Sequence, residues 1–326
     1  MFILVSVSQL SCAVRDAGVV LGMIAQARQG ERRANVGARK EPTARQVRLG
    51  HVLRDMRGEA RGRDSLETVS RELGWSKAKL SRIETGWSGI SESDLVTLLD
   101  TYGIENKAWR AYLLDVRRKT SARDGWEIKL RSIVHAQYAD YVGMEEDASE
   151  LYNAEPVLVP GLLQTHDYAA AVLAQHMPHL SESQRNARLE IREKRTGVFD
   201  RPDPLVFWGI ISESVFRHAL GGPDVMAAQL DHLLTMSDYP TVNIQILPES
   251  HALHAVLLQP FVVLQFPVHW EPNVVFLDGL TRTRFLEDVE DVQEYGRAFR
   301  RLNAEAPNGP ESIELIEKYR EHYRKG

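Results

Sequence analysis

Apolar positions recur with helical spacing from about residue 46 to residue 118. Beyond that span, helical stretches alternate with short apolar runs of strand type. Leu66, Val69 and Leu73 fall at i, i+3 and i+7 and so share one helix face. Ser65 stands just before them as an N-cap type, and Gly74 follows where a helix stop favours positive φ. Ser76 then caps a second helix, whose inner stripe is Leu80 and Ile83 and which should end at Gly86. Ser70 is small enough for the two helices to cross closely. Lys77, Ala78, Lys79, Ser81 and Arg82 are left facing outward, so this second helix has a thin apolar back and a cationic front.

The back of the chain reads as mixed. Leu130 to Asp147, Asp167 to His176, Glu182 to Val198, Val289 to Leu302 and Ser312 to Tyr323 carry helical patterns. Pro223 opens another helix with Val225, Met226, Gln229, Leu230, Leu233 and Leu234. Leu205 to Ile211, Val242 to Ile246, Phe261 to Phe266 and Val274 to Leu277 read as strands. The predicted class is therefore mostly α with a larger α+β second domain of about four strands. Phe207, Trp208, Phe261 and Phe266 are expected in its core rather than around a ligand.

Charge divides the chain in the same place. Residues 1–120 hold 21 Lys and Arg against 14 Asp and Glu, whereas residues 121–326 hold 19 against 31. A basic front joined to an acidic back suits a chain that touches nucleic acid with one end only. A cationic helix front can release phosphate counterions, and Arg or Lys can donate to guanine O6 and N7 in the major groove. Lys77 and Arg82 are assigned to base edges, Lys79, Ser81 and Thr85 to phosphate or sugar, and Ala78 to a thymine methyl. The competing reading, a solvated charged face, is weakened by the cap, turn and cap that frame these residues.

The segment Gly74-Trp-Ser-Lys-Ala-Lys-Leu-Ser-Arg-Ile-Glu-Thr-Gly86 resembles the turn and recognition helix of the Xre, or lambda-repressor-like, helix-turn-helix family. Leu49-Gly50 and Leu53 to Arg57 upstream extend the resemblance, as do Ser93 to Leu95 and Leu98 to Gly103 downstream. It implies a five-helix domain over residues 46–118, with Arg57 of the first helix paired to Glu84 at the end of the recognition helix. The alternative for that pair is a surface contact contributing under ~1 kcal/mol. The stretch Gly58 to Asp64 is about two residues longer than the family pattern, and its Arg61 and Arg63 could meet phosphate. Pro160 to Thr165 with Tyr168-Ala169 resembles a motif of actinobacterial regulators of the WhiJ type, which carry a C-terminal domain of unknown function. Arg185 with Arg188, Gln229 to Leu233, Ile244 to Pro248 and Val274 to Asp278 extend that likeness.

The expected organisation is a basic arm or start-site extension over 1–45, a DNA-binding domain over 46–118, a linker over 119–129 and an α+β domain over 130–326. Met1 to Leu10 is apolar but lacks a basic flank and a cleavage site, so it is not read as a signal peptide. No run approaches the ~20 apolar residues of a membrane span. Cys12 is the only cysteine, which excludes an intrachain disulfide and suits a cytoplasmic, nucleoid-associated protein.

Three uses of the second domain stay open: sensing a small-molecule effector, homodimerisation, and docking a small companion protein. A metal-dependent or hydrolase-like enzyme is the main alternative, resting on His251, His254 and His269 near Asp278. An antitoxin-like interaction protein is the other. Gly-x-Ser-x-Gly, Gly-x-x-x-x-Gly-Lys and Gly-x-Gly-x-x-Gly are all absent from the sequence, so no cofactor and no catalytic residue is assigned.

Overall fold

The computed structural model describes residues 42–60, 65–121, 125–250, 259–267, 272–279 and 283–325. The expected basic arm therefore lies almost wholly outside the described residues, as do Arg61, Arg63, His251, His254 and His269.

Five helices follow one another in the first part: α1 (Ala44–Ala60), α2 (Leu66–Glu72), α3 (Lys77–Glu84), α4 (Glu92–Thr101) and α5 (Lys107–Ser121). Thr43 and Gln46 open α1 as a reciprocal cap, the Gln46 N–H donating to Thr43 Oγ1 and the Thr43 N–H to Gln46 Oε1. The five helices close on one apolar core, in which Leu53, Met56, Val69, Leu80, Leu95 and Leu98 are fully buried. The backbones of α1 and α3 nearly touch. A Cβ on Gly50 would lie 2.6 Å from the Ile83 carbonyl oxygen, so only glycine fits at that crossing.

The stretch over 119–129, expected as a linker with 117–121 a linker or a frayed helix end, contains the end of one helix and the start of another. Helix α5 runs to Ser121 and α6 (Gly125–Ile133) follows, with 122–124 outside the described residues. The cations at the end of α5 have partners that tie the helix to its surroundings: Arg117 donates to the Ile90 carbonyl at 3.0 Å and Lys119 to Asp147 at 3.3 Å. The single helix expected over 130–147 is divided. His135 caps a new helix, α7 (Ala136–Asp147), its Nδ1 accepting from the Tyr138 N–H.

The second part is built on six strands: β1 (Glu150–Glu155), β2 (Val206–Ser212), β3 (Val242–Leu247), β4 (Phe261–Gln265), β5 (Val274–Asp278) and β6 (Thr283–Leu286). Their order is β3-β2-β1-β4-β5-β6. The first three are parallel, with Leu151 opposite Phe207 and Gly209 opposite Ile244; the last three continue antiparallel, with Ala154 opposite Phe261. Between β1 and β2 run α8 (His166–His176) and α9 (Glu182–Arg195), and between β2 and β3 runs α10 (Pro223–Ser237). Helices α11 (Val289–Glu305) and α12 (Gly309–Lys325) close the chain.

The period-two alternation of the strands feeds two cores. Leu151, Phe207, Ile211, Ile244 and Leu264 pack with α7, α8, α10 and α12 on one face. Ala154, Ile210, Phe261, Val263 and Val275 pack with Phe299 and Leu302 of α11 on the other. The aromatic set is core, as expected: Phe207, Phe261 and Phe266 are buried, and Trp208 is half-buried against the second core. Among the described residues six strands stand where about four were expected. The two missed are β1, in the middle of the sheet, and β6 at its edge.

Among the described residues no helix is long and apolar enough to cross a membrane.

Candidate nucleic-acid interface

Helix α3 is positioned by local chemistry. Ser65 Oγ accepts from the Thr68 N–H at 3.1 Å and starts α2. Gly74 takes φ +67, a backbone state that L side chains rarely adopt, and lets the chain reverse between the helices. The Trp75 N–H returns to the Ser70 carbonyl at 2.7 Å, closing the turn. Buried Ser70 satisfies itself by donating to the Glu67 carbonyl. Ser76 Oγ accepts from the Lys79 N–H at 3.1 Å and starts α3. Leu80 and Ile83 are both buried and anchor its back.

Glu84, the last residue of α3, faces inward as well. Its side chain is 2% exposed and Arg57's 14%. Arg57 donates to it twice, Nε to Oε1 at 2.7 Å and Nη2 to Oε2 at 3.0 Å. The pair is thus a bidentate buried clamp between α1 and α3, not a surface contact, and Glu84 raises the Arg57 pKa above the ordinary arginine value through these bonds.

The front of α3 is open to solvent at Lys77, Ala78, Arg82 and Thr85, and Ser81 is half-buried. Among the described residues neither Lys77 nor Arg82 meets an acid. Lys79 differs. Its Nζ lies 3.0 Å from Asp94 on α4 and 4.0 Å from the centre of the Trp75 ring. This lysine is tied to its own domain, and the acid that holds it sits in the first turn of α4. Thr85 Oγ1 donates to the Ser81 carbonyl at 2.8 Å, which leaves its lone pairs for an outside donor. Trp87, 54% exposed, follows directly after the helix.

Residues 48–111 match the family model of a helix-turn-helix domain. Residues 138–318, more than half of the chain, match that of a domain of unknown function, DUF5753. The chain belongs to the DUF5753 family. No curated protein and no solved structure matches it. A helix-turn-helix domain joined to a DUF5753 domain fits an Xre-like regulator, and the first domain makes this DUF5753 chain a DNA-binding one.

Within the DUF5753 region the Pro160–Thr165 motif shapes a turn. Gln229, fully buried on α10, accepts from the Thr165 N–H at 2.8 Å and donates to the Leu163 carbonyl at 2.7 Å. Gln164 donates to the Val159 carbonyl at 2.7 Å. Of the histidine and aspartate group considered for metal, only Asp278 is described; it is exposed and accepts from Thr283 Oγ1 at 3.1 Å. Among the described residues no group of His, Cys, Asp or Glu is arranged for a metal ion.

A second feature was not read from the sequence. The DUF5753 region docks on α1 through buried charge. Asp147, its side chain 1% exposed, accepts from Arg45 Nε at 2.6 Å and Nη2 at 3.1 Å, and from Lys119. Arg48, also buried, lies 3.7 Å over the Phe266 ring. Burial pushes the Arg48 guanidinium down to about 10. These partners are separated by 28 to 218 residues, so no local pattern announces them.

Proposed function

We propose that this protein is a sequence-specific transcriptional regulator that reads a duplex site by laying α3 in the major groove. Lys77 and Arg82 contact base edges. Ser81 and Thr85 contact phosphate or sugar, Ala78 packs on a thymine methyl, and Lys79 reaches phosphate while braced by Asp94. The carrying observation is the solvent-open pair Lys77 and Arg82 on a helix whose back is locked by Leu80, Ile83 and the Arg57–Glu84 clamp.

The DUF5753 domain is the regulatory half: it senses a small molecule or docks a small companion protein, and it pairs two chains as a homodimer. Direct docking of Asp147 on Arg45 supports coupling between the halves. The WhiJ-type affiliation and action at the nucleoid belong to this reading. A homodimer would space its half-sites by about one DNA turn, ~34 Å.

A duplex selected from a random pool by the wild-type chain supplies the operator for a mobility-shift test. Removing two base contacts worth about 1–3 kcal/mol each should weaken the K77A/R82A variant about thirtyfold or more. Retention that survives both substitutions would show that another surface reads the site.

A further inference from the structure

The Pro160–Thr165 turn, α8, α9 and α10 line a partly open cavity of about 340 Å³, within the range of small-molecule sites. Leu162, Phe199 and Met236 give it apolar wall; Gln164, Arg192 and His232 bring polar groups.

Arg192 distinguishes this cavity from a packing gap. A guanidinium carries five N–H donors, and Arg192 directs one to Gln164 Oε1. Among the described residues no acid lies within ion-pair distance of it. Arg195, on the same helix, shows the alternative, bonding Glu145 at 2.7 and 2.8 Å. Arg192 is half-buried, and burial lowers its pKa while Tyr138 and Asp278 act in the opposite direction.

We propose that this cavity binds a small organic carboxylate with an apolar body. The planar fork of Arg192 matches the two oxygens of one carboxylate. Leu162, Phe199 and Met236 take the body. A phosphate dianion fits less well, because Glu193 and Asp200 also border the space and, among the described residues, Arg192 is the only arginine or lysine lining it.

The site also has a physical route to the DNA-binding half. Helix α9 carries both Arg192 and Arg195. Arg195 is bound to Glu145 on α7, and the same helix ends at Asp147, which grips Arg45 of α1. The effect on DNA rests on the regulator reading; occupancy of the cavity does not.

The test is calorimetric titration of the full chain with phenylacetate and hexanoate, each against its primary amide. A charge-assisted contact predicts saturable binding of at least one acid and about tenfold or more weaker binding of its amide. R192Q should lose the acid with its thermal melt retained. Equal binding of acid and amide, undiminished binding to a folded R192Q, or no binding of either acid in the low-millimolar range would overturn the proposal. The acid–amide comparison needs no variant and so survives a misfolded R192Q. Operator retention without any probe reports on the regulator reading separately, so either idea can fail alone.

Discussion

The Arg57–Glu84 clamp offers the sharpest test of the packing argument. In R57M the stem is kept and the guanidinium removed. The Glu84 carboxylate, with 2% of its side chain exposed, then loses both charge-assisted donors at 2.7 and 3.0 Å and has no route to water. Breaking one side of a buried ion pair costs about 3–5 kcal/mol, whereas replacing both sides by apolar residues of similar volume is near neutral or stabilising. The double variant R57M/E84M should therefore recover most of what R57M loses. E84M alone should lose less than R57M, because Arg57 is 14% exposed and can turn its head to solvent. Native-state hydrogen exchange at the Leu53 and Leu80 amides reads this directly, since both residues are fully buried on the two clamped helices. The reasoning is refuted if R57M loses under about 1 kcal/mol, as an exposed pair would, or if the double variant is as unstable as the two singles added together.

Two further outcomes are expected. D147N keeps the shape of the buried side chain but withdraws the charge that Arg45 and Lys119 share; it should cost up to about 3–5 kcal/mol, less whatever Arg45 regains from Glu146 at 3.3 Å, and calorimetry should show the lowered Tm while an unchanged melt would deny the docking role. Burial pushes the Glu155 carboxyl from 4.5 up to about 8, so the folded state holds a proton that the unfolded chain releases; stability should fall as pH rises from about 4.5 toward about 8 and level off above, and E155Q should flatten that slope in urea titrations across pH.

The helix-turn-helix segment was legible because its determinants are local. Ser65, Gly74, Ser76 and the Leu80–Ile83 stripe each act within a few residues, and each does so in the structure. Strand β1 was not legible for the opposite reason. Glu150-Leu-Tyr-Asn-Ala-Glu155 contains no apolar run, and its ends are carboxylates. It is a strand because β2 and β4 hydrogen-bond it on both sides, and its polar Asn153 is satisfied by the Phe261 carbonyl at 3.2 Å. Strand β6 is four residues long, too short for periodicity to mark. The 119–129 stretch reads as a linker by its cations alone; whether such cations are solvated or paired depends on Asp147, which the chain delivers later.

The same distinction bears on how a signal could cross the molecule. A regulator whose halves were joined only by a flexible tether could gate DNA binding through oligomerisation or steric blocking, but not through the pose of a helix in the DNA-binding half. Here α1 meets the DUF5753 region with Arg45 and Arg48 and meets α3 with Gly50 and Arg57. These contacts lie within little more than three turns of one helix. A shift of α7 that moved Asp147 would pull on α1 through Arg45, and α1 and α3 cross closely enough that a Cβ added at Gly50 would lie 2.6 Å from the Ile83 carbonyl oxygen. The glycine that lets α1 and α3 approach thus also places α3 where a movement of α1 would reach it.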